Sequence, residues 1–127
     1  MAHHPSVSDL QHLEVWADGP EKANRLFVTT GTANTGLYAG AGQTKKENYS
    51  ILVPPQLASG QFRRAIGSAA LADIAGDGLW KIEDVDADFD DETNQVEFRF
   101  TLEVANFGSG YARIETVNFT VTSQARL

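Results

Sequence analysis

Residues 84–104 read DVDADFDDETNQVEFRFTLEV, and the period of this stretch decides the fold. Val85, Ala87 and Phe89 alternate with Asp84, Asp86, Asp88 and Asp90. After Asp91, Glu92, Thr93 and Asn94, the apolar residues Val96, Phe98, Phe100, Leu102 and Val104 alternate with Glu97, Arg99, Thr101 and Glu103. A period of two is that of a strand with one buried and one wet face. Two such runs around a polar tetrapeptide predict an antiparallel hairpin, with Phe89 opposite Val96 and Asp86 opposite Arg99.

The same residues invite a second reading. Asp86, Asp88, Asp90 and Glu97 fall at positions 1, 3, 5 and 12 of an EF-hand loop. Calcium needs several hard oxygens converging on one point. Position 6, where the bend calls for glycine, is Asp91, and both flanks carry strand rather than helix periodicity. On an extended strand the aspartates form a stripe about 7 Å apart. A looser calcium site at the hairpin tip, using Asp90, Asp91, Glu92 and Asn94, stays as the one metal candidate. The competing reading is an acidic, edge-protecting face.

Outward from the hairpin, Asn106 to Gly110 supplies turn residues, and Val117, Phe119 and Val121 mark a third strand. Ala112 and Ile114 sit in the opposite phase, which predicts a β-bulge near Glu115. Residues 80–122 therefore read as a three-stranded meander. Toward the N-terminus, Leu13 to Trp16 and Arg25 to Thr30 read as paired strands around the turn Asp18-Gly19-Pro20. Residues 31–46, with four glycines, read as a long loop with a short strand at Leu37 and Tyr38. Asn48 to Val53 is another strand, stopped by Pro54 and Pro55.

Residues 60–75 are alanine-rich, and Phe62, Ile66, Ala69 and Ala70 fall at helical spacing. Ser59 suits a cap and Gly76 a stop, so one helix is expected here. The fold class is thus mainly β: an antiparallel β-sandwich or strongly bent sheet of about six to eight strands with one helix. The expected core includes Val15, Leu26, Val28, Ile51, Val53, Phe62, Ile66, Trp80, Ile82, Val85, Phe89, Phe98, Phe100, Leu102, Val117, Phe119 and Val121. Residues 1–8 read as a disordered tail, and 9–127 as a single domain of a size that needs no metal or disulfide staple.

Composition narrows the function classes. The chain of 127 residues has no cysteine, which removes disulfides, thiolate metal sites and cysteine nucleophiles. Its formal net charge is −7, with 17 acidic and 10 basic residues. That balance argues against phosphate-backbone binding, since the pairs Lys45-Lys46 and Arg63-Arg64 are the only basic clusters. No apolar run reaches the roughly 20 residues that cross a bilayer as a helix, and no secretory leader pattern opens the chain. Neither compartment nor partner is written in it.

Catalytic constellations are poorly supplied. His12 is the only histidine apart from His3 and His4, and Ser68 lacks the second glycine of a nucleophile elbow. Gly36, Gly40 and Gly42 precede Lys45 without the spacing of a phosphate loop. The acids cluster on one wet face, where nothing raises one carboxyl above its neighbour. Trp16, Trp80, Tyr38, Tyr49 and Tyr111 would suit a sugar platform, against the ordinary use of aromatics in a β core. The chain is therefore expected to be a noncatalytic structural or protein-interaction β module, a subunit of a homo-oligomeric assembly. The alternatives are a ligand-binding β domain for carbohydrate or calcium, and an enzyme whose site spans an oligomer interface.

Overall fold

A computed structural model describes residues 2–16 and 24–127, and among these it contains no helix. Seven strands follow in order: β1 (Ser6–Trp16), β2 (Asn24–Ala39), β3 (Thr44–Val53), β4 (Phe62–Gly76), β5 (Leu79–Asp90), β6 (Gln95–Ala105) and β7 (Ala112–Arg126). They form two antiparallel sheets, one ordered β1-β2-β7-β4 and the other β3-β6-β5. The two sheets pack face to face. Between them lie Tyr49, Ile51, Val53, Val96, Phe98, Phe100, Leu102 and Val104 from one side, and Ala33, Ile114, Val117, Phe119 and Val121 from the other. Phe98 stacks on Phe119 across the gap, with ring centroids 5.8 Å apart.

The hairpin of β5 and β6 keeps the register its alternation predicts. Phe89 faces Val96 and Asp86 faces Arg99. The phase change in β7 also stands, since Ala112, Ile114, Val117, Phe119 and Val121 are all buried despite their mixed parity. The three-stranded meander does not form. After β6 the chain leaves the sheet, and β7 runs as a central strand of the other one, between β2 and β4.

Asn106 makes that crossover. Its side chain is buried, donates from Nδ2 to the carbonyls of Ala39 (3.1 Å) and Gly110 (3.0 Å), and accepts at Oδ1 from the Gly108 amide (2.9 Å). A buried amide with three partners fixes a loop that backbone pairing alone leaves open.

The helix expected over about 60–75 is corrected to strand β4. Two demands override the alanine propensity. β7 carries a row of buried backbone groups that must find partners on both sides, and β4 supplies one of them. The small residues Ala65, Gly67 and Ala69 then face inward where Phe98 leaves little room. A Cβ on Gly67 would lie 2.3 Å from the Phe98 ring.

The loop expected over 31–46 is corrected too. β2 continues to Ala39 through a bulge at Thr35 and Gly36, which has φ +56°, and β3 starts at Thr44. The long-range ladder to β7 holds a stretch whose own composition is turn-like. The turn expected at residues 18–20 lies outside the described residues. Of the stretch read as a tail, His3 lies beside β3, exchanging backbone bonds with Asn48 and Ser50 (2.8 and 2.9 Å), while Ser6, Val7 and Ser8 pair with Asn34, Ala33 and Thr32 of β2.

Candidate interaction surface

The molecule has two outer faces, and the side chains on them differ in kind. On the three-stranded sheet, β6 points Glu97, Arg99, Thr101 and Glu103 outward, flanked by Lys46, Asn48 and Ser50 of β3 and by Lys81, Glu83 and Asp86 of β5. These groups satisfy one another. Lys46 reaches Glu83 at 2.8 Å, and Lys81 reaches it at 3.2 Å. The Ser50 hydroxyl donates to Glu97 (2.7 Å), the Thr101 hydroxyl donates to Asn48 (2.7 Å), and Arg99 holds Asp86. Hydrogen bonds from the two lysines hold the Glu83 carboxyl below its ordinary range, and the bond that Arg99 donates to Asp86 holds its guanidinium charged to higher pH than usual.

A bulge at Asp84, with φ +55°, opens a groove of about 580 Å³ on this face, lined in part by Asn48, Asp86, Arg99 and Thr101. Asn48 is paired with Thr101 and Asp86 with Arg99, and the exposed Asp84 also lines the groove. Beneath the face Tyr49 packs on Phe100, and burial raises its phenol to about 12.

The outer face of the four-stranded sheet is different. Antiparallel register puts Gln11, Leu13 and Val15 of β1 beside Thr30, Val28 and Leu26 of β2. Next come Thr120, Thr122 and Gln124 of β7, then Ser68, Ile66 and Arg64 of β4. In these four rows Arg64 is the only charge. Leu13 is 60 % exposed and Ile66 73 % exposed. Val85, expected in the core, is exposed at the bulge beside Asp84 on the other sheet, and Val15, Leu26 and Ile66, also expected in the core, are exposed on this face. The reason is parity. Phe27, Thr29 and the buried side of β7 take the inward positions, so their neighbours in sequence point to solvent.

Among the described residues β1 forms the edge of this sheet and bonds only to β2. Every residue from Ser8 to Trp16 is exposed, and the strand holds neither lysine nor proline. Its inner side carries His12, Glu14 and Trp16. His12 Nδ1 lies 2.9 Å from the Thr29 hydroxyl, Glu14 pairs with Arg25 at 3.0 Å, and the Arg25 guanidinium lies over the Trp16 ring. The outward row of this edge is apolar and lacks lysine and proline, while Glu14 on the inner side and a bulge near its start are the protections it does carry. The bulge at Asp9 and Leu10, where Asp9 has φ +53°, leaves Gln11 to Trp16 regular.

The sequence-derived site residues separate. At the hairpin tip, Asp90 accepts the Glu92 amide (3.1 Å) at one carboxylate oxygen and the Thr93 hydroxyl (2.8 Å) at the other, while Asn94 bonds its amide to the Asp90 carbonyl (2.8 Å). Asp90 therefore serves the turn, and Asp91 and Glu92 point to solvent. Among the described residues no three histidines or acids converge on a point that suits a metal. Of the five aromatics proposed as a platform, Tyr49 is buried and Trp80 is partly buried. Tyr38 and Tyr111 are exposed and nearly parallel, 6.1 Å apart. The exposed row on the four-stranded sheet was missed in the sequence because its residues look like core. The signal that could have found it is that strands β1, β2 and β4 supply more apolar positions than one inward face can hold. No described helix is long and apolar enough to cross a membrane. Compared with models of known protein families, with curated proteins and with solved structures, the chain matches none.

Proposed function

We propose that this chain is a noncatalytic protein-interaction module that docks through the outer face of its four-stranded sheet and the adjoining edge of β1. One observation carries the reading. Leu13, Val15, Leu26 and Ile66 stand exposed on a nearly uncharged face, although the chain as a whole is acidic. Exposed apolar side chains gain roughly 25 cal/mol per Å² when a partner covers them. The ion-paired face opposite supports the same reading, because it already keeps its charges satisfied and stays wet.

The test is retention of a partner from an extract of the source cells by the immobilised chain, with an Ile66→Glu variant beside it. Retention by the original chain and loss in the variant is the expected result. Equal retention by both, or none by either, sinks the proposal.

A second reading, a carbohydrate-binding domain, draws on the exposed Tyr38 and Tyr111 rings. It requires that Tyr111→Ala abolish retention on a polysaccharide resin, and lack of retention by the unmodified chain ends it.

A further inference from the structure

We infer that the edge of β1 pairs with the β1 edge of a second copy of this chain, antiparallel, about a two-fold axis through Leu13. The inference rests on the docking surface just proposed and names the occupant of its β1 edge, leaving the outer face open.

The other sheet edges are interrupted or crowded: His3 sits on that of β3, and β4 and β5, which bond to no strand on their far sides among the described residues, lie against each other. The edge of β3 bonds to His3. β4 and β5 follow one another through the tight turn at Asp77 and Gly78, and Gly67 of β4 sits against Ala87 of β5. Among the described residues β1 presents a regular stretch, Gln11 to Trp16, with no strand on its far side.

Symmetry restricts the register. Residues directly opposite in an antiparallel pair share a face, so a two-fold that keeps both apolar rows on one side must pass through a residue. Centring on Glu14 sets two carboxylates against each other in a molecule of charge −7. Centring on His12 draws the bulge at Asp9 and Leu10 into the ladder. Centring on Leu13 places His12 opposite Glu14 of the second copy, twice, and Gln11 opposite Val15. Each opposed pair joins a base to an acid or keeps charge out, and Leu13 meets itself. The two sheets then join as one of eight strands, and Leu13, Val15, Leu26 and Val28 of both copies form a single apolar strip. Five opposed pairs give about four to six new main-chain hydrogen bonds. That is a small interface, so the dimer is weak and concentration-dependent.

The chain has no cysteine, so single cysteines report the register cleanly. On the axis, Leu13→Cys faces its own copy within disulfide reach, whereas two Gln11→Cys sulfurs are separated by four strand positions, about 13 Å. Sedimentation of the purified full chain should show the average mass rising with concentration toward the dimer. Mild oxidation should link Leu13→Cys and leave Gln11→Cys monomeric. His12→Glu should weaken the dimer roughly tenfold by opposing like charges twice, and adding Glu14→Lys should restore it. A chain that stays monomeric, equal cross-linking at both positions, or no loss with His12→Glu overturns the inference. If the purified chain is monomeric while the extract partner is still retained and still lost with Ile66→Glu, self-pairing fails and the interaction module stands. If both experiments are negative, both fall.

Discussion

The two outer faces share one architecture and differ in how their side chains are satisfied. On the three-stranded sheet each long polar side chain has a partner on the next strand, so the face is complete without help. On the four-stranded sheet the corresponding positions hold Leu13, Val15, Leu26 and Ile66 among threonines, which have no use for water and no neighbour above them. A β-sandwich needs only one buried face per sheet. Apolar residues on the second face of one sheet, with Arg64 the one charge in the rows around them, are the feature on which the proposed docking rests.

Changes at the joint between the sheets should be felt by both faces. Asn106→Ala removes the acceptor of Gly108 and leaves the buried Ala39 carbonyl without its donor, which costs about 3 kcal/mol in a denaturant titration. A loss under about 0.5 kcal/mol would mean that the crossover is held by something else.

Gly67→Val acts between the sheets, where Gly67 of β4 meets Phe98 of β6. It forces β4 off Phe98 and costs about 2 kcal/mol by overpacking, carrying Ile66 with it and leaving the β5–β6 hairpin in place. Amide exchange should quicken along β4 more than along β6. Uniform quickening would contradict the separate behaviour of the sheets.

Beneath the charged face, the Tyr49 phenol has its ordinary value of 10.0 raised to about 12 by burial. The folded chain therefore keeps this proton where the unfolded chain releases it. The contribution is whole below pH 10 and disappears as pH rises toward 12. Denaturation midpoints should fall across that window, and less so for Tyr49→Phe.

The smallest effects make the sharpest contrast. Arg99→Ala removes an exposed pair with Asp86, costs about 0.5 kcal/mol and loses even that at high salt. Ile66→Thr should change stability by less than about 0.5 kcal/mol while weakening association. A core-sized loss at Ile66, near 2 kcal/mol or more, would show that this face is covered within the folded chain and that the two faces are not as different as described.

Much of the molecule was legible in residue order alone. The alternation from Asp86 to Val104 gave the β5–β6 hairpin and its register, because strand parity is a local property that each side chain carries with it, while the bulge at Asp84 and Val85 broke it before that. The phase break before Val117 was legible for the same reason. The acidic turn was legible as a turn, and its candidate calcium ligands proved to include one, Asp90, that the turn itself uses.

What residue order left open was decided by contacts distant in the chain. β4 is a strand because β7 needs a partner, although Phe62, Ile66 and the alanines also fit a helix. β7 joins the far sheet because Asn106 ties its turn to Ala39, 67 residues away in sequence. Leu13 and Ile66 stand in solvent because Phe27 and Phe119 already fill the inside. An apolar side chain states that it prefers burial, but only packing decides whether the protein's own core or another surface provides it.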